Sequence, residues 1–156
     1  HTSNWDFVVG VLAKWAMGLQ VSIWGKDSLF RIPVFGRWLR YLGGLPVDRS
    51  APRGIVGAMV DQMERARAEG RHLWLVVAPE GTRSRTEGWK SGFYQVAVGA
   101  NVPLGLAYLD YGRKRVGFQG FLELSGDRDA DIGEIARRLG SATGYRADLA
   151  APIRFL

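Results

Sequence analysis

The stretch LWLVVAPEGTRSR, from Leu73 to Arg85, decides which fold we expect for this chain. Its first six residues, 73–78, form an unbroken apolar run of strand length that ends at a proline. This composition is typical of a strand that is covered on both faces, as in a parallel sheet. A strand with one solvent-exposed face instead alternates apolar and polar residues. We therefore predict a buried parallel strand over residues 73–78.

Polar residues that suit an anionic ligand follow this strand directly; they are Glu80, Gly81, Thr82 and Arg83. Ligands of open α/β sheets bind beyond the carboxyl ends of the strands. Gly81 would let the backbone approach a ligand closely, and Arg83 offers a planar cation that can hold phosphate with two hydrogen bonds. The alternative interpretation is an ordinary polar surface turn.

Helical and extended segments alternate on both sides of this strand. Apolar residues recurring every three or four positions predict helices from Phe7 to about residues 18–20, from Pro33 to about Leu42, and over residues 53–69, 91–99 and 127–139. Extended segments are predicted at residues 21–25, 45–48, 103–109 and 116–124, with a turn at 26–33 and no assignment from Gly140 onwards. This alternation predicts an α/β fold: a three-layer αβα domain with a largely parallel mixed sheet, one domain over residues 1–156.

The charge of the chain points to an anionic partner. Its 21 basic and 15 acidic side chains give a net charge of +6, and seventeen of the basic residues are arginine. Arginine binds phosphate better than lysine does, so this bias indicates a phosphate-bearing ligand or an anionic lipid surface. Charge alone also permits nucleic acid. However, the arginines are scattered over every segment without an aromatic-basic recognition motif, so we predict no nucleic-acid partner.

The composition also bears on the compartment. The absence of cysteine excludes disulfides, thiolate metal sites and a cysteine nucleophile, and it fits a reducing, cytoplasmic location. Lys14 interrupts the longest apolar run, so no membrane span is predicted. Six tryptophans, with Arg37 and Arg40 on the second predicted helix, instead predict peripheral attachment to the anionic cytoplasmic face of a membrane. The chain starts without Met, and its first motif begins at residue 1. We therefore expect the natural sequence to extend upstream of His1.

That first motif is HTSNWD, His1–Asp6. On a continuous helix the side chains of His1 and Asp6 would point about 140° apart, so they can meet only if a turn intervenes. The short polar residues 2–4 favour such a turn. A carboxylate in the first helical turn could then orient the imidazole, as in the base half of a catalytic triad. By itself, a histidine five residues before an aspartate occurs often by chance.

A third polar stretch is GGLPVDRS, Gly43–Ser50. Arg49 could bind phosphate while the carboxylate of Asp48 orients its side chain. The alternative is an ordinary surface ion pair between the two. Lys90, just before a predicted helix, would add to the same positive pocket if the loops converge.

Four blocks of this sequence, HTSNWD, GGLPVDR, APEGTRS and VPLGLAYL, resemble in the same order the sequence blocks of the glycerolipid acyltransferases, the lysophosphatidate and glycerol-3-phosphate acyltransferase superfamily. The resemblance runs from His1 to about Leu109. It implies a glycerol-3-phosphate acyltransferase-like fold and transfer of a fatty acyl group from acyl-CoA or acyl carrier protein to a hydroxyl of a phospholipid acceptor. No metal and no cofactor other than this acyl thioester co-substrate is expected.

The resemblance also implies roles for individual residues. His1 is expected to be the general base and Asp6 its orienter. The acceptor phosphate site is expected to comprise Gly44, Arg49, Glu80, Gly81 and Arg83. The residues themselves, apart from the resemblance, add Thr82 and Lys90 as further substrate-binding candidates. A histidine base suits this chemistry, because a thioester is already activated and the enzyme mainly has to remove a proton and align two substrates.

Two departures from the family pattern keep alternatives open. The fourth block has Gly105 and Leu106 where a second proline is usual, and the second block has residues 45–47 where bulkier side chains are frequent. The acceptor could therefore be an amino-acid lipid or another membrane alcohol. From other classes come a non-catalytic basic module that binds anionic lipid or nucleic acid and, with less support because metal-ligand clusters are lacking, a phosphoester hydrolase.

Overall fold

A computed structural model describes residues 2–47 and 54–156 of the chain. In order, the elements are α1 (Trp5–Ala16), β1 (Val21–Lys26), α2 (Asp27–Phe30), α3 (Pro33–Tyr41), β2 (Gly44–Val47), α4 (Gly54–Ala68), β3 (Trp74–Val76), α5 (Gly92–Gly99), β4 (Leu104–Asp110), β5 (Arg115–Leu122), α6 (Arg128–Leu139) and a 3-10 turn (Ala147–Leu149). Helices and strands alternate as predicted, apart from α2, which occupies part of the segment predicted as a turn. The protein is thus a mixed α/β structure.

Contacts divide the chain into two compact units. One unit is Lys14–Val77; the other, which we call the motif unit, comprises His1–Ala13 and Ala78–Leu156. The expectation of one domain over the whole chain stays a prediction.

The Lys14–Val77 unit contains a three-stranded parallel sheet in the order β2-β1-β3. Ile23 of β1 is in register with Gly44, and Val21 is in register with Trp74. Pro33 begins α3, where its fixed φ and missing N–H cost nothing. Gly44 is required for packing, because a Cβ there would lie 2.7 Å from the carbonyl oxygen of Leu39 and 3.0 Å from the ring of Phe30.

The strand predicted from the apolar run 73–78 exists and is parallel, but the prediction that it is buried is wrong. It is reduced to the three residues of β3, and its Trp74 and Val76 side chains are 41% and 49% exposed. In this sheet β3 lies at an edge and has β1 as its partner, so its side chains have a neighbouring strand on one side only. An apolar run does not distinguish an edge strand from a central one.

The motif unit contains the antiparallel hairpin of β4 and β5, which pair from Leu104 with Leu122 to Asp110 with Arg115. The segment 116–124, predicted to hold one or two strands, therefore forms one. Helix α6 buries Ile132 and Ile135 against Leu106 of β4, and the aromatic rings of Trp89, Phe93 and Phe155 complete this core.

Two aspartates define the start of α6. Asp127 accepts hydrogen bonds from the backbone N–H groups of Asp129 and Ala130, which caps the helix. Asp131 is buried and accepts hydrogen bonds from the Tyr94 hydroxyl at 2.9 Å and from the backbone N–H and hydroxyl of Ser125. These contacts fix the loop between β5 and α6. Within the described part of the chain, no helix is long and apolar enough to cross a membrane.

Candidate active site

The predicted turn in the HTSNWD motif is confirmed. The chain bends at Ser3 and Asn4, and α1 starts at Trp5. The N–H groups of Asp6 and Phe7 donate to the carbonyl oxygens of Ser3 and Asn4 at 3.3 and 3.2 Å. Asp6 therefore occupies the first turn of the helix, where a carboxylate interacts favourably with the helix dipole.

The Asp6 carboxylate folds back over the residues before it. Its Oδ2 accepts hydrogen bonds from the backbone N–H groups of Thr2 at 2.7 Å and Ser3 at 3.1 Å. The backbone that leads to His1 is thus fixed by the aspartate five residues after it. His1 itself lies outside the described residues.

A tyrosine from the end of the hairpin faces this carboxylate. The Tyr111 hydroxyl is buried, and burial together with the neighbouring Asp6 carboxylate raises the pKa of Tyr111 to about 12. Its ring packs edge-on against Tyr145 at a centroid distance of 5.2 Å, and its backbone N–H donates to the Thr143 carbonyl oxygen at 2.9 Å. A neutral hydroxyl therefore faces Asp6 at every physiological pH.

Thr2 fastens the motif to the carboxyl-terminal segment. Its side chain is buried at 6% exposure, and its Oγ1 accepts a hydrogen bond from the backbone N–H of Arg146 at 3.0 Å. The backbone of Gly144 comes so close that a Cβ there would lie 3.2 Å from Thr2 Oγ1. The tail that has no assignment from sequence is therefore part of the support of the first motif.

The polar stretch PEGTR, residues 79–83, forms a tight turn in the same motif unit. Glu80 is buried at 6% exposure, and its Oε1 accepts a hydrogen bond from the backbone N–H of Ala151 at 3.1 Å. Gly81 has a φ of +65°, and the side chain of Lys90 passes 3.1 Å from the position that a Cβ would occupy. The N–H of Lys90 donates to the Pro79 carbonyl oxygen at 2.9 Å, so Lys90 lies beside this turn.

The two remaining side chains of that turn differ in what they contact. Thr82 Oγ1 accepts a hydrogen bond from the N–H of Ser84 at 3.2 Å, which closes the turn locally. Arg83 is exposed and has no hydrogen bond or ion pair among the described residues. Its guanidinium group is therefore available to an anion.

The carboxyl-terminal segment 146–151 links the two motifs. The N–H of Arg146 contacts Thr2, and the N–H of Ala151 contacts Glu80. Five residues span at most about 18 Å when fully extended, and the 3-10 turn Ala147–Leu149 shortens this path. The start of the HTSNWD motif and the buried carboxylate of the PEGTR turn are therefore near one another.

Other predicted site residues are placed elsewhere or not described. Arg49, with its neighbour Asp48, lies outside the described residues. Gly44 belongs to the Lys14–Val77 unit and is accounted for there by packing against Phe30. The substrate-binding roles of all these residues stay predictions.

Several residues that surround the motif were missed by the sequence interpretation: Tyr111, Gly144, Tyr145 and Arg146. Tyr111, Gly144 and Arg146 contact residues 2–6, which lie more than a hundred residues away in the chain, and Tyr145 packs against Tyr111. Periodicity and short motifs report on neighbours along the sequence, so no local signal identified them.

Comparison with known proteins shows which family the chain is similar to. The profile of the family described as Acyltransferase matches residues 1–105, which include both polar motifs. A chloroplastic 1-acyl-sn-glycerol-3-phosphate acyltransferase of Brassica napus is 28% identical over 107 residues. That alignment covers 67% of this chain, and the chain spans about 30% of the length of that relative. No solved structure matches.

Proposed function

Because this chain belongs to the acyltransferase family, we propose that it is an O-acyltransferase that moves a fatty acyl group from acyl-CoA or acyl carrier protein to a hydroxyl of a lysophosphatidate-like phospholipid. The plant relative is named as an enzyme that uses 1-acyl-glycerol-3-phosphate, which supports this acceptor class. We further propose the three-layer αβα arrangement of the glycerol-3-phosphate acyltransferases.

In the proposed reaction His1 takes the proton of the acceptor hydroxyl while its oxygen attacks the thioester carbonyl. The bond from the carbonyl carbon to sulfur then breaks, the thiol leaves with a proton, and the new ester remains on the acceptor. Asp6 holds the backbone that carries the base, and the exposed cations Arg83 and Lys90 bind the acceptor phosphate, with Arg49 as a further contributor. No covalent acyl-enzyme is required, since the thioester is already activated.

The observation that carries this proposal is the link between the two motifs. One short segment, 146–151, contacts Thr2 at one end and Glu80 at the other. The start of the HTSNWD motif and the PEGTR turn are therefore held close together, which supports a proposal in which the base and the phosphate-binding cation act on a single substrate molecule.

Attachment to a membrane is part of the proposal, because the acceptor is a lipid. The support comes from α3, whose Val34 and Tyr41 side chains are 83% and 81% exposed, with Trp38 between them on the same face. Arg37 is exposed beside this apolar stripe. Exposed Trp and Tyr beside basic side chains suit the interface of an anionic cytoplasmic leaflet.

The test is release of free thiol from acyl-CoA with and without lysophosphatidate, using wild type, His1→Ala and Asp6→Asn. We expect acceptor-dependent release in wild type and a loss of at least about 10²-fold in His1→Ala. Asp6→Asn should lose rate as well while keeping the fold, because an amide oxygen can still accept one backbone hydrogen bond. His72→Ala, at the other histidine, is the matched control and should retain the wild-type rate.

The acceptor is tested by a panel that adds amino-acid lipids and other membrane alcohols to lysophosphatidate. Preference for a phosphate-free acceptor would refute the proposed substrate class but keep the acyltransferase. Binding of anionic lipid without any thiol release, unaffected by His1→Ala, would instead establish the non-catalytic binding module.

A further inference from the structure

A shallow cavity of about 130 Å³ lies in the motif unit between the β4–β5 hairpin and the end of α6. Its charged lining consists of Arg113, Arg115, Arg138 and one carboxylate, Asp110. Three cations against one anion leave a net charge of +2 on the lining. A cavity of this volume admits a phosphoryl group.

Two of these arginines are held in place by hydrogen bonds to neighbouring residues. Arg113 Nη1 donates to Asp110 Oδ2 at 3.1 Å and to the Ser141 carbonyl oxygen at 3.3 Å. Arg138 donates through Nε to Glu134 at 2.6 Å and through Nη1 to the Phe121 carbonyl oxygen at 3.2 Å. Guanidinium groups fixed in this way lose little further conformational entropy when they bind an anion.

The carboxylates that hold them remain ionised near neutral pH. The backbone hydrogen bond from Arg113 lowers the pKa of Asp110 despite the burial of that carboxyl. Hydrogen bonds from Arg137 and Arg138 lower the pKa of Glu134 to about 2. Both arginines are thus hydrogen-bonded to ionised carboxylates, and neither carboxylate changes its charge between pH 5 and pH 8.

The third arginine, Arg115, is different. It begins β5 and is exposed, and its side chain has no hydrogen bond or ion pair among the described residues. Gln119, four residues further along β5, adds an amide to the same cavity. An unpaired guanidinium group beside two whose positions are fixed by hydrogen bonds is an arrangement that recognises a phosphate dianion.

The cavity is connected to the HTSNWD motif by two short pieces of chain. Asp110 lines the cavity, and the next residue, Tyr111, faces Asp6. Ser141 and Ala142 also line the cavity, and Gly144 contacts Thr2. With consecutive Cα atoms 3.8 Å apart, the cavity lies on the order of 10–15 Å from Asp6.

We propose that this cavity binds a phosphoryl group of the acyl donor. The inference rests on the proposed function, in which the donor is a pantetheine thioester whose extended arm separates the thioester from its phosphate. A thioester beside the base would then leave that phosphate at a distance, where the three arginines can hold it. The acceptor phosphate has its own candidate cations in Arg83 and Lys90.

Arg115→Gln tests the site, because it removes a charge that no other described residue uses. The matched control is Arg65→Gln, an exposed arginine of α4 whose Nε contacts the Asp61 carbonyl oxygen of its own helix. Calorimetric titration with CoA should show about tenfold weaker binding in Arg115→Gln and wild-type binding in Arg65→Gln. Inorganic phosphate should compete with CoA in wild type and in Arg65→Gln, and much less in Arg115→Gln.

Dephospho-CoA and 4′-phosphopantetheine separate the possible phosphates. If Arg115→Gln weakens CoA but not dephospho-CoA, the 3′-phosphate is the group bound. If it weakens all three compounds, the pantetheine phosphate is the group bound, and both results support the site. Equal affinity of wild type and Arg115→Gln for CoA, or an equal loss in Arg65→Gln, would overturn it.

Kinetics distinguish failure of the site from failure of the proposed function. In an active enzyme Arg115→Gln should raise KM for acyl-CoA about tenfold and leave kcat unchanged. A rise in KM for lysophosphatidate instead would overturn the assignment to the donor. Arg115-dependent CoA binding without acyl transfer to any acceptor would support the site and refute the proposed reaction.

Discussion

Thr2 joins the first residues of the chain to its last segment through a single hydroxyl group, which accepts the backbone N–H of Arg146. We expect Thr2→Val, which keeps the shape and removes the acceptor, to lower the free energy of unfolding by about 1 kcal/mol. For a domain of this size that corresponds to a fall of roughly 2–4 °C in Tm.

Thr2→Ser keeps the hydroxyl and is the matched control in thermal unfolding. A valine variant as stable as the serine variant would contradict the role of this hydrogen bond. Because residue 2 carries the backbone to His1, the valine variant should also lose acyl transfer, measured as thiol release, more than the serine variant does.

Tyr111 makes stability depend on alkaline pH. Its pKa is raised from 10.0 to about 12 by burial and by the Asp6 carboxylate, so folding favours its neutral form. The stabilising contribution is complete below pH 10, the unfolded value, and is lost as the pH rises towards 12. In Tyr111→Phe, denaturant midpoints measured across this window should fall less steeply than in wild type.

The comparison needs a control at another tyrosine. Tyr41→Phe changes an exposed tyrosine of α3 and should follow the wild-type profile. Coincident profiles for Tyr111→Phe and wild type would show that the Tyr111 hydroxyl does not resist ionisation in the fold.

At the level of elements, the carboxylate of Asp131 fixes the connection between β5 and α6. It accepts hydrogen bonds from Tyr94, Ser125 and Gly126, and these bonds lower the pKa of Asp131 although burial opposes them. Asp131→Asn replaces an acceptor by a donor and should cost about 2 kcal/mol of unfolding free energy, measured by urea denaturation. Asp129→Asn, two residues before it on the same helix, is the control and should cost much less.

The elements themselves were largely predictable, and their surroundings were not. Helices α3, α4, α5 and α6 lie close to where apolar spacing and capping residues put them. The exposure of β3 and the formation of α2 were missed, because an apolar run and a mixed segment have the same local appearance in several tertiary settings.

For the molecule as a whole, the polar motifs could be predicted from the sequence, but the residues that support them could not. Asp6, Glu80 and Arg83 could be singled out because their types and spacing suit a chemical role. Tyr111, Gly144 and Arg146 could not, since their contribution arises only when the end of the chain meets its start. The charge of the chain, in contrast, is a property that sequence alone determines.

That charge gives a prediction for membrane binding by the whole protein. With a net charge of +6 and the apolar stripe of α3, the protein should co-sediment with vesicles rich in anionic lipid and much less with neutral ones. Raising the salt from about 0.1 M to 1 M shortens the Debye length from about 10 Å to 3 Å, so the charge-dependent part of vesicle binding should be lost.

The double variant Val34→Ser with Tyr41→Ser should lower the bound fraction at every salt concentration by removing apolar area that would enter the interface. Val98→Ser changes an exposed apolar residue of α5 and should bind as wild type does. Equal binding of neutral and anionic vesicles, or equal losses in both variants, would contradict attachment through α3 and the net charge.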